Sequence, residues 1–570
     1  MKKLFISIIL LFITVLSFGT IYYVSTIGND SRNGLYPTYT SGSNGPWLTW
    51  EKGFNSLSPG DTLYILGGVY PVPYTDGRGI EGGLTGTSDS WIYVLNYPGS
   101  GDPILDCSNV TELTTPGWED HNGGLAFTGS YFHVKGLTVR NVFQITENNV
   151  PADMVYAFTV YSASNAIIEN CKSHDSHGKG FYITSCDNTI FLNCDAWNHC
   201  DSLTHPDHMP GNNGYGWFIE DYGSTTRTVY VKNCRAWNCG DDGFQASTTR
   251  AYVEFDSCWS FNNGALDGEG NGFKLGWQEV DATNLRRVMA NCLSVYNGAR
   301  GMTTNEGSGY FASTMNVYNN TIYKNGWRGT WSGISIENTS SNDAQELRRI
   351  FRNNISAQNS GDNISVNSGA LYTHSNNTWD LPVTVTDADF KYIPATRTEA
   401  VSLLKTGRKS DGSLPDLGDF LKLAEGSDLI DTGVDVGLPY TGSAPDLGFA
   451  EYAEVGASTA TDILTFTFTE QTGAATINAT LHTVSIEVEW DADVTDLTPT
   501  ITVSGGATID PLSGVSQDFT SPVVYTVTAE DTVTEQEWTV TVTQESTPST
   551  EIKLLKHGSK MLKKGIKLMK

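Results

Sequence analysis

VYVKNCRAWNCGDDGFQ, residues 229–245, holds both the repeat that decides the fold and an acid pair that suggests a site. An apolar run, Val229 to Val231, leads into Asn233-Cys234, and Asn238 follows four residues after the cysteine. The same order recurs as IIENCKSHD (167–175), TIFLNCDAWN (189–198), VEFDSCWSFN (253–262), VMANCLSVYN (288–297), MNVYNNTIYKN (315–325) and FRNNISAQN (351–359). Cys171, Cys194, Cys234, Cys258 and Cys292 share one slot, which Asn320 and Asn354 fill in the last two units. A second slot pairs glycine with a large residue: Gly180-Phe181, Gly216-Trp217, Gly243-Phe244, Gly272-Phe273, Gly301-Met302 and Gly333-Ile334. The spacing of the cysteine slot varies from 23 residues (Cys171 to Cys194) to 40 (Cys194 to Cys234), as a constant coil with loops inserted at one corner would give. One coil cannot bury its apolar face alone, so coils stack and like residues form ladders, the logic of a parallel β-helix. Cysteine is small and apolar enough for an interior rung. Asparagine at a repeated turn tolerates left-handed backbone and bonds to its neighbours above and below.

The 570 residues exceed one ordinary domain, and the Gly-rich composition with 17% charged residues is that of a β-rich chain. A net charge of −28 argues against nucleic acid as a partner. Residues 1–20 read as a signal peptide: Lys2 and Lys3, an apolar run from Leu4 to Phe18, then Gly19-Thr20. That run is short for a membrane span, and no other stretch is long enough, so the expectation is a secreted, monomeric protein with no stable membrane insertion. Nine cysteines leave at least one unpaired. Their spacing favours reduced thiols in a stack, although Cys200 and Cys239 could form a bridge.

The β-helix is expected over residues 21–456. Within it, a short helix at Trp50 to Leu57 is placed to cap the open core, and the stretch from Asn377 to Tyr452, with a helical window at Arg397 to Leu404, to wrap or cap the last coils. Alternating Val/Thr strands between about Thr461 and Gln544 predict an Ig-like β-sandwich, residues 457–547, without evident chemistry. Residues 548–570 form a linker and a basic tail that reads as surface-binding or simply solvated. The fold class is thus all-β, a parallel β-helix followed by a small β-sandwich.

Aligning Gly243-Phe244 with Gly272-Phe273 sets Lys274 opposite Gln245 and Asn271 opposite Asp242. Counting seven residues from the cysteine slot sets Asp201 beside Asp241. Clustered carboxylates repel one another unless a cation joins them, and hard oxygen ligands suit Ca²⁺, to which Gln245 can add a carbonyl oxygen. His199 and His205 are near, but their spacing is wrong for zinc. A lysine beside bound Ca²⁺ is pushed toward its neutral form and can act as a general base. Ca²⁺ with such a base suits β-elimination of a uronate polymer, whereas a structural Lys274–Asp242 salt bridge explains the same residues without chemistry.

Several segments carry a family likeness: YYVSTIGND (22–30), GPWLTW (45–50), PGDTLYILGGVY (59–70), NCRAWNCGDDGF (233–244), GNGFKLG (270–276) and SDLIDTGVDVGLPYTG (427–442). Together they resemble polysaccharide lyase family 9, the right-handed parallel β-helix pectate lyases. The resemblance implies an acidic polysaccharide substrate, Lys274 as the Brønsted base, and Ca²⁺ held in part by Asp241 and Asp242. Gln245 and Tyr215 stand where that family has its other two aspartates, which leaves Asp201, Glu220 or Asp221 to complete the set. Two further readings are open, a pectin hydrolase using two carboxylates on the same fold and a non-catalytic glycan-binding β-helix.

Overall fold

A computed structural model describes residues 19–75, 79–110, 121–144, 146–147, 150–151, 154–203, 209–246, 249–276, 284–305, 314–337, 349–452, 458–530 and 533–546. The signal peptide's apolar run, His205 and the basic tail lie outside them. The chain divides into two compact units, residues 1–452 and 453–570.

The first unit is a parallel β-helix. A typical coil contributes three strands, Thr228–Lys232, Arg235–Trp237 and Phe244–Gln245, and each pairs in parallel with its counterpart one coil on, Tyr252–Asp256, Trp259–Phe261 and Phe273–Lys274. The middle strands stack into a ten-stranded parallel sheet, while the outer ones join a continuous twenty-stranded set. The turn between the first and middle strands explains the Asn-Cys pair. Asn170, Asn193, Asn233, Asn291, Asn319 and Asn353 all have φ between 53° and 59°, the left-handed region that asparagine enters more readily than most residues. The cysteine that follows turns inward and is buried, and neighbouring rungs touch: the Cys194 amide donates to Cys234 Sγ at 3.4 Å. The ladder passes into asparagine where Cys292 N–H donates to Asn320 Oδ1 at 2.8 Å, and Asn320 Nδ2 donates to Asn354 Oδ1 at 2.9 Å. All nine cysteines are free thiols, Cys200 and Cys239 included.

Inside, Phe158, Phe181, Trp217, Phe244 and Phe273 form one stack with successive ring centroids 5.0, 4.1, 5.7 and 4.9 Å apart. Burying each such ring contributes roughly 2–3 kcal/mol, and the repeat extends that gain along the helix. The N-terminal helix is shorter than expected, Trp50–Phe54, capped by the Thr49 side chain; its Phe54 packs on Phe127 at 5.3 Å. Of the two expectations for the segment after Asn377, the described residues wrap the coils. Helix Arg397–Leu404 and the residues beyond it run back along the flank of the coils, where Leu404, Phe420 and Leu429 share one apolar cluster with Trp237, Phe261 and Leu293. Arg408 reaches as far back as Asp195, at 2.6 Å, completing a buried pair with Arg235 at 2.8 Å from the same carboxylate. That apolar face of the middle strands needs a cover, and the ends of the coils do not supply one.

The second unit has two sheets around a core that includes Phe466, Val484, Tyr525 and Trp538. Ile463–Thr467 pairs with Thr500–Val503, and five strands make the other sheet, with Thr483–Val488 parallel to Glu535–Gln544 at its centre.

Candidate active site

Two-residue strands position the lysine. Phe273 is fully buried and its ring lies 4.9 Å from that of Phe244 at an interplanar angle of 6°, so strand alternation turns the next side chain, Lys274, outward. Phe244 pairs with Phe273 and Gln245 with Lys274. The glycine of this slot answers a close approach: a Cβ on Gly272 would lie 2.0 Å from Ser294 Oγ, which bonds the Gly301 carbonyl at 2.8 Å.

Just outside this strand, carboxylate oxygens of Asp241, Asp242 and Glu269 lie within 4.8 Å of one another. Each is held from a different direction. Asp241 Oδ1 accepts the Glu269 amide at 2.9 Å. Asp242 Oδ1 accepts the Asn271 backbone N–H at 2.8 Å and its side-chain amide at 2.9 Å. The Asn271 amide also donates to Glu269 Oε2 at 3.0 Å. Lys274 Nζ donates to Glu269 Oε2 at 2.9 Å and stands 3.4 Å from Asp242 Oδ2. Tyr215 lies one coil earlier, and burial with the charges of Asp241 and Asp242 holds its phenol pKa well above the usual value. Glu269 arrives on a folded-back loop whose base needs glycine: Gly264 and Gly270, at φ 101° and 79°, face each other so closely that a Cβ on Gly270 would meet the Gly264 Cα at 2.6 Å.

Burial raises the pKa of Asp241 well above the ordinary carboxylate range, and the charge on Asp242 adds to this more than Lys274 subtracts. Burial raises Asp242 as well, against the pull of Lys274. For Lys274, burial works to lower the pKa, but Asp242, Asp241 and Glu269 together outweigh it and hold the ammonium above its usual value. One lysine thus faces three carboxylates, and the buried Asp242 Oδ2 accepts no hydrogen bond. The donor set is all hard oxygen and under-compensated in charge, which fits a divalent cation of the Ca²⁺ type.

The expected residues divide. Asp241, Asp242 and Lys274 come together, with Gln245 buried beside Lys274. Asp201 does not join them, and this corrects the expectation that it stacks on Asp241. Its carboxylate turns into its own loop and accepts the Asn213 amide at 3.1 Å, because the insertion between Cys194 and Cys234 carries it out of the ladder. Burial pushes its pKa up to about 6. Asp221 is paired with Arg227 at 2.8 Å, and Glu220 accepts from Tyr182, so neither is available to the cluster. His199 is buried against the Ser173 carbonyl, at 3.0 Å, with its pKa pushed down to about 4 by burial. The acid missed in the sequence is Glu269. Its signal is the run GEGNG before the lysine, glycines spaced to fold a short loop back over its own coil.

The model of the Pel9A-like right-handed β-helix region matches residues 22–343, more than half of the chain. The chain belongs to the Pel9A-like β-helix family. A second family model, the N-terminal region of SGBP, matches residues 463–542 of the C-terminal unit. Among relatives of the Pel9A-like chain, pectate lyase L of Dickeya dadantii is 29% identical over 443 residues, covering 76% of this chain and 90% of its own. Pectate lyase L of Paenibacillus polymyxa is 28% identical over 410 residues, covering 68% and 79%. The crystal structure of pectate lyase Pel9A is similar with a TM-score of 0.57 at 25% identity, covering 77% of this chain and 97% of that one. A rhamnogalacturonan lyase is similar with the same TM-score, 0.57, at 26% identity, covering 71% and 97%.

Proposed function

We propose that this chain, a polysaccharide lyase, is an exported monomeric enzyme that cleaves a galacturonate polymer by β-elimination, with Lys274 as the base. The observation that carries the reading is the Lys274 amine set among Asp241, Asp242 and Glu269, on a β-helix of the Pel9A-like family. The names of the pectate lyase relatives support a pectate-type substrate, and Lys2-Lys3 followed by an apolar run supports export.

Lys274 takes the proton on the carbon next to the uronate carboxyl. The electron pair left behind forms a carbon–carbon double bond, the glycosidic oxygen departs from the adjacent carbon, and that oxygen takes up a proton from water. Lys274 does this only as the neutral amine, so the negative field of its three neighbours must be offset. Asp241, Asp242 and Glu269, with Gln245 alongside, are the residues that would hold Ca²⁺, which when bound would supply that offset and neutralise the sugar carboxylate next to the acidic proton. Asn271 holds the Asp242 and Glu269 carboxylates in place, and the Glu269 amide holds Asp241.

A hydrolase on the same acids leaves Lys274 without a role, and a binder leaves the polymer intact. Incubation with polygalacturonate, with Ca²⁺ or with chelator, separates them. The expected result is an ultraviolet-absorbing unsaturated sugar end that chelation abolishes. Reducing ends without that absorbance would mean hydrolysis, and an unchanged polymer would mean binding alone.

A further inference from the structure

One coil beyond the acid cluster, Arg300 continues the rung of Asp242 and Asn271. The Gly272 amide donates to the Arg300 carbonyl at 2.8 Å, and the Arg300 amide to Asn271 Oδ1 at 3.4 Å. Its guanidinium lies over the ring of Trp331 from the next coil, 4.6 Å from the centroid. Trp331 is 37% exposed, and Arg300 is partly exposed beside it. Among the described residues no carboxylate forms an ion pair with Arg300. The chain has 63 acidic side chains and 35 basic ones, so an arginine with no acid paired to it among the described residues stands apart.

The surroundings keep this pair in register with the site. Arg328, from the loop that carries Trp331, passes so close over Gly298 that a Cβ there would lie 2.6 Å from its Cδ. Its guanidinium then donates to the Gly268 carbonyl, immediately before Glu269. The Trp331 loop and the Glu269 loop are therefore tied together across the coil of Arg300.

Stacking uses the face of a guanidinium and leaves its N–H edge open, and that edge matches a carboxylate in bidentate fashion. Neighbouring coils are ~4.8 Å apart, comparable to the length of one sugar residue. We infer that Arg300, held against Trp331, binds the carboxylate of the uronate adjacent to the reacting one. The groove then selects uninterrupted uronate runs over chains that alternate uronate with a neutral sugar. This rests on Lys274 marking the reacting residue, and it adds a specificity determinant to that reading.

The test is the affinity of the Lys274→Ala protein, which holds polymer without turning it over, for three probes. These are polygalacturonate, its fully methyl-esterified form, and a polymer alternating galacturonate with rhamnose. Adding Arg300→Gln is expected to weaken polygalacturonate binding about tenfold or more, the worth of a charge-assisted hydrogen bond, and to leave the other two nearly unchanged. Trp331→Ala should cause the same selective loss, because the guanidinium loses the ring that it lies over. Arg300→Lys repeats the comparison if the glutamine variant melts early. Unchanged polygalacturonate affinity, or an equal loss on all three probes, would overturn the proposal. If the unsubstituted protein makes no unsaturated ends from any polymer, the lyase reading fails, and the affinity comparison still decides the role of Arg300.

Discussion

Lys274 Nζ stands 2.9 Å from Glu269 Oε2, a strand-borne ammonium meeting a carboxylate carried on the loop just before it. The contact ties Lys274 to the acid that the repeat itself does not supply. Glu269→Gln keeps the side-chain shape and removes one of three charges. Calcium affinity by calorimetry should fall by about tenfold or more, since ligand charge tunes such sites over orders of magnitude. Gln245→Asp adds a charge on the other side of Lys274 and should raise affinity. No calcium uptake by any form would count against a cation site here.

Lys274→Ala should lower kcat on polygalacturonate by about a thousandfold or more, near the upper range for general base catalysis. Lys274→Arg should be equally poor, because a guanidinium does not give up its proton at accessible pH. The rate of the unsubstituted enzyme should climb from neutral to alkaline pH, since the amine must lose a proton that the surrounding acids hold above the usual lysine range. A purely structural lysine predicts the reverse: arginine would substitute well and alanine would chiefly lower the melting temperature.

The raised pKa of Asp241 has a sign that melting curves can read. A carboxyl with a higher pKa folded than unfolded contributes stability at acid pH, and loses it as pH rises through the folded value. With chelator, the melting temperature should therefore fall as pH rises above the ordinary carboxylate range. Calcium should raise it more at the alkaline end, where the acids are charged and uncompensated. An equal calcium effect at both ends would separate cation binding from this cluster.

Asp201 offers an independent case, away from the cluster. Burial lifts it to about 6, so its contribution is present below about pH 4 and lost as pH rises through about 6. Asp201→Asn keeps an oxygen for the Asn213 amide but cannot ionise. Urea unfolding at pH 8 should find the variant more stable by about 1–3 kcal/mol, with little difference at pH 4. A variant less stable at pH 8, with little difference at pH 4, would show that the charged form is needed.

Ending the chain near Tyr452 should leave the rate on short soluble substrates unchanged. The acids and Lys274 all lie in the first unit, and the second has its own core around Trp538. A well-folded truncation that loses turnover on such substrates would give the second unit a share in the site.

The repeat was legible because a β-helix writes its fold into the chain at each coil. The left-handed turn asks for asparagine, the interior rung for a small apolar side chain, and the close approach beneath the aromatic stack for glycine. From those slots the pairing of Gln245 with Lys274 follows by counting, since parallel register is set by the ladder. The same counting failed for Asp201 and passed over Glu269. Both sit on loops between the slots, where length varies and no ladder side chain constrains the path. Whether a loop folds back onto its coil depends on contacts from elsewhere: Gly264 against Gly270, Arg328 reaching Gly268, and Asn271 bridging two carboxylates. The cover over the middle strands has the same origin, for Arg408 meets Asp195 across more than two hundred residues of chain. Local repetition therefore determined the coil and the place of Lys274 on it. Long-range packing alone decided which acids surround that lysine, because a loop's course is set by the surfaces it meets and not by its own periodicity.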